Sequence, residues 1–580
     1  MKEIKITLSQ FSSDSKALDK AYTRILKNME HHPSARKILT WITFATRPLS
    51  TAELCCAVAV ESGGTELDPD NVLEVEDLLA LCAGFVVFDE KQDIVRLRHY
   101  TTQKYLEAAS MTWAPAPQLL IITTCLDYLS FDVFKVGECE TPHDLQDRLE
   151  DNHLLSYAAN HWGEHARAVE AQAIVNVVTR FLMHTGLVTC ATQVQESRGP
   201  YQFHVSKSTA LHAAARLGIV EIAQNLATAT EDRLTSIEAR DIMNRTPLVV
   251  AAEHGHADMA EWLLGEGANV DAECQGQMIE TYNALIAASS NGHTKVVKLL
   301  LDHGATKDQQ RPCGGHHICG PLYEAAFEGH QQTVELLLDR GAEIDQVTSW
   351  GINALQAACT AANQAMVALL LARGANVNVG HALYVASNSG NTAIATMILN
   401  KGADPNAQYK DRGNALHAAA RNGHVEIVKL LLDRGADIKA PSSEHRRALA
   451  LAAGAGHLDT VTLLLDRGAN INAQSGCCSN ALQQACACGS FPVVQLLLDR
   501  GADVNACPPG GDTALLIASR STINALQELW LNEAQMLMPR DARATHSAWL
   551  LAGGAPISST TKSIEALLMP MIYQTTEAAF

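Results

Sequence analysis

One segment of this chain, residues 414–436, recurs in variant form about ten times, and this recurrence constrains the fold more than any other feature. Each copy closes on a Gly-Ala step. The steps fall at Gly267, Gly304, Gly341, Gly374, Gly402, Gly435, Gly468 and Gly501. Most intervals between them are 33 or 37 residues, and one is 28. A period of this length indicates a stack of small units rather than one compact core.

Each copy predicts a turn, a short helix, a second helix and an outward loop. A threonine hydroxyl suits the cap of the first helix, and proline suits its first turn. The caps are predicted at Thr209, Thr246 and Thr513, and the prolines are Pro247 and Pro321. Glycines that end the first helix in a left-handed conformation are predicted at Gly218, Gly255, Gly292, Gly329, Gly390, Gly423, Gly456 and Gly489.

The second helix of each copy takes its apolar side from leucine triplets. Clear examples are Leu299–Leu301, Leu336–Leu338, Leu463–Leu465 and Leu496–Leu498. Burying one leucine is worth roughly 1.5–3 kcal/mol, and no single unit can bury its own set. Stacking of neighbouring units is therefore obligatory.

The period and the helix–helix pattern resemble the ankyrin repeat. Arrays of that family bind other macromolecules far more often than they catalyse reactions. The resemblance implies a mainly helical fold and a protein partner on the concave face, which is formed by the loop tips and the exposed side of the first helices. His212 and His417 occupy the family's usual histidine position, where the ring ties neighbouring turns together.

Composition narrows the class of protein. The net charge is −19, which argues against nucleic-acid binding because that function needs a basic face. The 15 cysteines are scattered, several of them where a helix needs a small apolar residue, so we expect free thiols in a reducing compartment. The N-terminus has no apolar signal core, and no run is long enough to span a bilayer. A cytoplasmic location with no membrane span is the expectation.

Residues 1–110 are not repetitive. Helices are predicted over Ala35–Thr46, from Ser50 through a capping box with Glu53, over Val72–Cys82 and over His99–Leu106. A hairpin is predicted from strands at Phe85–Phe88 and Ile94–Leu97. Helices followed by a hairpin indicate a winged-helix-like unit. Acidic residues outnumber basic ones here by 16 to 13, so a packing role is favoured over DNA binding.

This unit resembles the winged-helix region of fungal NACHT-ankyrin NOD-like receptor proteins. The residues that carry the likeness are Trp41, Arg47–Leu49, Glu53–Leu54, Cys82–Gly84, Leu97–His99 and Tyr105–Leu106. The segment Tyr157–His165 is similar to the helical connector of those proteins. The resemblance implies a winged-helix-like unit at 1–110, a connector at 111–205, ankyrin repeats at 206–535 and a degenerate cap or loose tail at 536–580.

The sequence departs from those receptors in one respect. It contains no Gly-x-x-x-x-Gly-Lys-Ser/Thr loop to cradle a triphosphate. We therefore expect a non-catalytic, cofactor-free recognition module that corresponds to the ligand-sensing part of such a receptor. The alternative is an ankyrin adaptor that recruits targets to a ubiquitin-ligase or trafficking complex. An enzyme with its chemistry in residues 110–205 is disfavoured, because that segment shows no catalytic cluster. The sequence does not predict the oligomeric state.

Candidate partner-binding residues are the pattern positions just before the helix-ending glycines, together with the loop tips. The first group is Arg216, Leu217, Glu253, His254, Ser290, Asn291, Phe327, Glu328, Asn388, Arg421 and Asn422, and the loop-tip group is Trp350 and Tyr409 with Lys410 and Asp411. Exposed aromatic residues such as Phe327 and Trp350 often anchor interfaces. The alternative for any one of them is a solvated side chain or one packed on a neighbour.

Irregular intervals predict local changes in the array. The 28-residue interval removes a loop tip around Asn378–Ala382, so a dent and a change of curvature are expected near His381. A longer loop holds Cys313, His316, His317 and Cys319, but adjacent histidines suit one metal poorly, so a flexible loop is favoured over zinc. Cys486 and Cys488 are interpreted as helix filling.

Overall fold

The protein is mainly helical in a computed structural model, which describes most of residues 22–518. The described residues are 22–24, 26 and 32–518, except 83, 198–207, 230–236, 242, 276–280, 309–319, 349–350, 410–411, 442–446, 475–479, 507–512 and 515–516. The chain divides into two compact units between Ala342 and Glu343, and each is described by itself.

The first unit begins with the helices and hairpin that the sequence predicts. Its elements are α1 (Pro33–Phe44), α2 (Thr51–Ala59), a 3₁₀ turn (Pro69–Asn71), α3 (Val75–Leu81), β1 (Val86–Asp89), β2 (Ile94–Leu97) and α4 (Tyr100–Ala108). The two strands pair antiparallel, with Val86 opposite Leu97. At Ser50 the predicted capping box is present, since its hydroxyl accepts from the Glu53 backbone and the Glu53 carboxylate accepts from Ser50.

Several predicted elements have different ends. Helix α4 spans Tyr100–Ala108 rather than His99–Leu106, and β1 spans Val86–Asp89 rather than Phe85–Phe88. Helix α1 begins earlier, because Pro33 occupies its first turn, and it stops at Phe44 rather than Thr46. Arg47 precedes a proline and so disfavours helix, which moves the stop back. Helix α3 begins at Val75 instead of Val72, because the 3₁₀ turn ends just before Val72, whose backbone is extended.

Seven helices connect this part to the repeats. They are α5 (Ser110–Trp113), α6 (Pro117–Leu129), α7 (Asp132–Lys135), α8 (Pro142–Asp151), α9 (Leu155–Arg167), α10 (Ala171–Leu182) and α11 (Thr185–Glu196). Helix α9 packs on α6, and the Trp162 ring meets Phe181 edge-on at 5.6 Å. Among the described residues, no single helix is long and apolar enough to cross a membrane; α10 and Thr185–Gln195 meet that test only jointly, and they are bent by 98°.

The repeats form helix pairs, each with a first and a second helix. In the first unit the pairs are α12 (Ala210–Leu217) with α13 (Val220–Ala229), α14 (Pro247–Glu253) with α15 (Ala257–Gly265), α16 (Ala284–Ser290) with α17 (Thr294–Asp302), and α18 (Pro321–Glu328) with α19 (Gln331–Asp339). Strands β3 (Cys274–Gln275) and β4 (Thr281–Tyr282) form a short antiparallel pair between the second and third pairs.

The second unit continues the pattern. Its pairs are α20 (Ala354–Thr360) with α21 (Gln364–Ala372), α22 (Ala382–Asn388) with α23 (Thr392–Asn400), α24 (Ala415–Asn422) with α25 (Val425–Asp433), α26 (Ala448–Gly454) with α27 (Leu458–Asp466), and α28 (Ala481–Cys488) with α29 (Phe491–Asp499). Successive first helices pack on one another, as do successive second helices.

The caps and the core follow from the repeated residues. The hydroxyls of Thr209 and Thr246 cap α12 and α14 as predicted. All eight glycines predicted to end first helices have positive φ. In each leucine triplet the middle residue is fully buried, and the outer two are half-buried. In each triplet, the middle leucine therefore contributes the full stabilisation from side-chain burial, roughly 1.5–3 kcal/mol.

The loop predicted to be shortened is indeed short. Helix α22 begins eight residues after Gly374, whereas α24 begins thirteen residues after Gly402. Gly380 and His381, which both have positive φ, make the turn into α22. They replace the longer outward loop, which is called here a finger. The missing finger is therefore confirmed, and the change of curvature stays a prediction.

Candidate partner-binding surfaces

The ends of the first helices form a surface in each unit, called here the tip surface. In the first unit it consists of Arg216, Glu253, His254, Ser290, Asn291, Phe327 and Glu328, and in the second of Asn388, Arg421 and Asn422. In each repeat these residues lie just before the glycine with positive φ. The glycine turns the chain directly into the second helix.

A row of histidines fixes the backbone of the tips. Each histidine precedes a second helix, and its Nε2 donates to a tip carbonyl of the preceding repeat. The pairs are His256 to Arg216 (3.0 Å), His293 to Glu253 (3.1 Å), His330 to Ser290 (3.0 Å), His424 to Asn388 (3.2 Å) and His457 to Arg421 (3.1 Å). We call this set the histidine ladder. Each bond holds the backbone of one of these five tips from the next repeat.

The glycines of the tips are required for two reasons. Gly423 has φ of 74°, a left-handed conformation that other residues adopt at a cost. A Cβ at this position would also lie 2.6 Å from Nδ1 of His457. Gly218 has the same relation to His256, at 2.4 Å. The glycine thus makes room for the ladder histidine of the next repeat.

The first tip surface mixes charged, polar and aromatic side chains. The half-buried Arg216 donates to Oε1 of Gln195 at 2.7 Å, and Glu253 pairs with Arg245 at 3.0 Å. His254 is exposed, and its Nδ1 donates to the carbonyl of Val250 in its own helix. Asn291 is exposed and likewise bonds within its own helix, to Ala287.

The remaining residues of this surface differ in exposure. Phe327 is 37% exposed and stacks on Tyr323, with ring planes 4° apart and centroids 6.2 Å apart. Glu328 is exposed and Ser290 is half-buried. Leu217 is a correction: it is only 4% exposed. A methyl group of Leu217 packs toward Gly163 of helix α9, so the connector covers it and no partner can reach it.

The second tip surface is joined by an amide pair. Nδ2 of Asn422 donates to Oδ1 of Asn388 at 3.1 Å, and both side chains are exposed. Arg421 beside them is exposed as well. Among the predicted loop tips, Trp350, Lys410 and Asp411 lie outside the described residues.

Tyr409 is half-buried and belongs to a group of three rings. Its centroid lies 4.6 Å from that of Tyr384 and 4.8 Å from that of His381. The sequence singled out Tyr409 as a loop tip and His381 as the place of a dent. It did not indicate that the rings meet, and Tyr384 was missed because it sits at an ordinary helix position.

A second group of residues that the sequence did not assemble joins the winged-helix part to the connector. Arg47 makes two hydrogen bonds to the Glu53 carboxylate, and its guanidinium lies 5.0 Å from the ring centroid of Tyr157. The Glu53 bond raises the pKa of Arg47. The Tyr157 hydroxyl accepts from the Thr46 backbone at 3.0 Å and lies 2.9 Å from Nε2 of His165.

The protonation state of His165 follows from its partners. Its Nδ1 faces the amide oxygen of Gln118, which can only accept, so Nδ1 carries the proton. Nε2 is then free to accept from the Tyr157 hydroxyl. Burial lowers the pKa of His165 to about 4. We call Arg47, Glu53, Tyr157, His165 and Gln118 the junction cluster.

Several buried cysteine and histidine side chains have packing or hydrogen-bonding roles. Burial raises the pKa of the Cys82, Cys274 and Cys359 thiols to about 12, so these groups are protonated and poor nucleophiles. His212 and His417 bond to backbone carbonyls of the next loop, which confirms their structural position. Cys486 is fully buried as helix filling, but Cys488 is exposed, which corrects its interpretation.

In the described part of the chain, no group of three His, Cys, Asp or Glu side chains is placed to hold an ion. The Cys313–Cys319 loop lies outside the described residues.

Comparison with known families agrees with this architecture. A model of ankyrin repeats in three copies matches residues 155–274, 244–311, 268–348, 322–409 and 383–475, together more than half of the chain. The chain belongs to the ankyrin-repeat family. A second ankyrin model, of many copies, matches residues 464–518. Residues 22–113 match the winged helix domain described for GPI inositol-deacylase.

Individual relatives cover parts of this ankyrin-repeat protein. One is the azaphilone pigments biosynthesis cluster protein L of Monascus ruber, which is 28% identical over 289 residues. That match covers 44% of this chain and 60% of the relative's length. Among solved structures, the human ASB11 ankyrin repeat domain is 28% identical, with a TM-score of 0.33; the match covers 36% of this chain and 97% of that domain.

Proposed function

We propose that this ankyrin-repeat protein is a non-catalytic recognition module that binds a protein partner through its tip surfaces, on the concave side of the array. The observation that carries the proposal is the histidine ladder. It holds the tip carbonyls of Ser290 and Arg421 in place, while Arg421 and the neighbouring Asn422 stay exposed. Phe327 and Glu328 are exposed at the tip of the repeat that follows Ser290. A backbone that is already fixed has no ordering cost on binding, so such a surface is organised for recognition before the partner arrives.

Within this function, the chain acts as the ligand-sensing part of a fungal NACHT-ankyrin NOD-like receptor. The winged-helix match at residues 22–113, the connector and the ankyrin array support this role because they occur in the order that the receptor resemblance implies. The chain itself has no triphosphate-binding loop, so recognition rather than nucleotide binding is its task. The net charge of −19 favours a protein partner over a nucleic acid.

The junction cluster supports the same role. The contacts that cross from the winged-helix part to the connector are the cation–π contact of Arg47 with Tyr157 and the hydrogen bond from the Thr46 backbone to the Tyr157 hydroxyl. The ion pair with Glu53 holds the Arg47 guanidinium in place. Helix α9 of the connector in turn packs on α12 of the first repeat. Partner binding at the first tip surface therefore has a continuous packed route to the winged-helix part.

The experiment is affinity purification of the full chain from its native cells, with partners identified by mass spectrometry. The test variant carries Ala at Phe327, Glu328, Arg421 and Asn422. The matched control carries Ala at Lys298, Glu335, Glu426 and Lys429, which are exposed on second helices. A partner lost from the test variant and kept by the control supports the proposal. Recovery of the same partners with the test variant as with the unmodified chain would refute the proposal.

A further inference from the structure

A serine takes the place of a ladder histidine near the end of the second unit. His457 stands beside Gly423 of the preceding repeat, and Ser490 stands in the same relation to Gly456. We call the space beside Gly456 and Ser490 the ladder gap. We propose that the ladder gap binds a tryptophan side chain of a protein partner. This inference rests on the proposed recognition function and adds a specific subsite to it.

One repeat earlier, an imidazole ring fills the corresponding space. A Cβ added at Gly423 would lie 2.6–2.8 Å from three ring atoms of His457. A Cβ added at Gly456 would lie 3.3 Å from Oγ and 3.4 Å from Cβ of Ser490, and it would meet no other described atom within 4 Å outside its chain neighbours. The five ladder histidines and Ser490 are all half-buried, so this row of side chains reaches the surface. The ladder gap is therefore open where the other steps hold a ring.

The ladder gap also offers a hydrogen-bond acceptor. The Arg421 carbonyl accepts from Nε2 of His457 at 3.1 Å, and the Gly454 carbonyl has the equivalent position in the next repeat. The Ser490 side chain does not cap α29. In the described part of the chain, the Gly454 carbonyl accepts no hydrogen bond from Ser490 or from any other residue. An N–H group that enters the gap can therefore use the acceptor that a histidine uses in the ladder.

Apolar side chains line the rim of the gap. Leu458 is 39% exposed and Phe491 is 38% exposed, and both lie at the starts of neighbouring second helices. Ala487 and Cys488 are exposed at the tip that precedes Phe491. The Cys488 thiol donates to the carbonyl of Ala453 at 3.5 Å, so the tips of the two repeats are in contact. Exposed apolar side chains that are grouped in this way mark interaction sites.

Tryptophan is the side chain that matches the open space, the acceptor and the rim together. Its indole is a flat apolar ring with one N–H group that can only donate. A phenylalanine would leave the Gly454 carbonyl without a partner, and a charged side chain would lose hydration against the apolar rim. The imidazole of the ladder makes the same bond, but an indole has more apolar surface to pack on Leu458 and Phe491. Tryptophan is also among the residue types most enriched at the energetic centres of interfaces.

The test is a titration of the full chain labelled with 4-fluorophenylalanine, followed by fluorine NMR. The chain has 11 phenylalanines, and the signal of Phe491 is assigned by its loss in Phe491→Leu. The probes are 3-methylindole, which is the tryptophan side chain, and 3-methylbenzothiophene, which has nearly the same shape without the N–H group. We expect 3-methylindole to shift the Phe491 signal, with an affinity roughly tenfold above that of 3-methylbenzothiophene because one hydrogen bond is lost.

Two variants at one position separate the ladder gap from general apolar binding. Ser490→His completes the ladder with a ring whose Nε2 can donate to the Gly454 carbonyl, so it should abolish the shift caused by 3-methylindole. Ser490→Ala is the matched control: it leaves the gap open, and the affinity for 3-methylindole should stay unchanged.

A further variant distinguishes a partner's tryptophan from one of this chain. Trp350, Trp530 and Trp549 lie outside the described residues, and all three are replaced by Phe. We expect this variant to keep both the Phe491 signal and the affinity for 3-methylindole. A moved Phe491 signal together with tighter probe binding would assign the gap to a tryptophan of this chain and overturn the proposal of a partner.

Three other results would also overturn the inference. They are equal affinities for the two probes, a shift with 3-methylindole that persists in Ser490→His, and no shift of the Phe491 signal with 3-methylindole. If Ser490→His fails to fold, the comparison of the two probes on the unmodified chain still decides the outcome. The titration reads only the ladder gap, so its failure leaves the proposal for the tip surfaces to be judged by its own experiment.

Discussion

The Nε2 atom of His457 donates a hydrogen bond to the carbonyl oxygen of Arg421, 3.1 Å away and 36 residues earlier in the chain. The bond crosses from one repeat to the preceding one and ends on a residue of the tip surface. Stability in repeat proteins is set by contacts between neighbouring repeats. The same bond that couples the repeats therefore also positions the residues proposed to bind a partner.

Replacing Gly423 by alanine should disturb this coupling more than the same change at Gly435. Both glycines have positive φ, so both variants carry the left-handed cost of about 1 kcal/mol. Only Gly423 faces a histidine: an added Cβ there would lie 2.6 Å from Nδ1 of His457, whereas a Cβ at Gly435 would meet no atom within 4 Å. We expect Gly423→Ala to lower the free energy of unfolding by at least about 2 kcal/mol.

Urea unfolding followed by circular dichroism measures the difference between these two variants. We expect Gly423→Ala to be the less stable of the two variants. Equal midpoints and slopes for the two would mean that the ladder contact contributes nothing beyond backbone strain.

Acid should weaken the junction cluster through His165. Its pKa is about 4 in the folded protein, below its ordinary value, so the unfolded chain binds more protons between about pH 6.5 and pH 4. Stability from this group is therefore full above pH 6.5 and falls as the pH drops towards 4. The loss should reach roughly 2–3 kcal/mol at pH 4.5, since one pKa unit corresponds to about 1.4 kcal/mol.

Other histidines also titrate in this range, so the measurement compares the protein with His165→Gln. The difference in unfolding free energy between the two should shrink from pH 7.5 to pH 4.5. A difference that stays constant over this range would show that His165 does not change its protonation on unfolding.

The ion pairs between successive second helices should contribute little. Arg467 pairs with Asp433 at 2.8 Å, and Arg500 with Asp466 at 2.7 Å, but all four side chains are one-third exposed or more. Exposed pairs are worth about 0–1 kcal/mol and are screened by salt. We expect Asp433→Asn and Asp466→Asn each to change thermal stability only slightly, and less still in 0.5 M salt. A large loss of thermal stability that does not depend on salt would contradict this prediction.

The sequence predicts those features that depend on neighbours along the chain. The capping box of Ser50 and Glu53 needs residues three apart, and the helix-ending glycines recur with the repeat, so both are readable from spacing. The burial of Leu217 is not readable in this way. Its position in the repeat would leave it at the surface, but it is buried and packs toward Gly163 of α9.

The features that the sequence did not predict arise from contacts between residues that are far apart in the chain. Tyr157 and Thr46 are 111 residues apart, so nothing in local spacing indicates that the hydroxyl accepts from that backbone. The ring of Tyr384 meets Tyr409 because a finger is missing between them. The sequence indicated the shortened loop, but it did not indicate which side chains meet beside that loop.

The most direct test of the central claim is the affinity of a purified partner for the full chain, measured by isothermal titration calorimetry. The tip variant with Ala at Phe327, Glu328, Arg421 and Asn422 is compared with the control variant at Lys298, Glu335, Glu426 and Lys429. We predict at least a roughly tenfold weaker affinity for the tip variant and an unchanged affinity for the control. An unchanged affinity for the tip variant, with its fold intact, would contradict recognition through the tip surfaces.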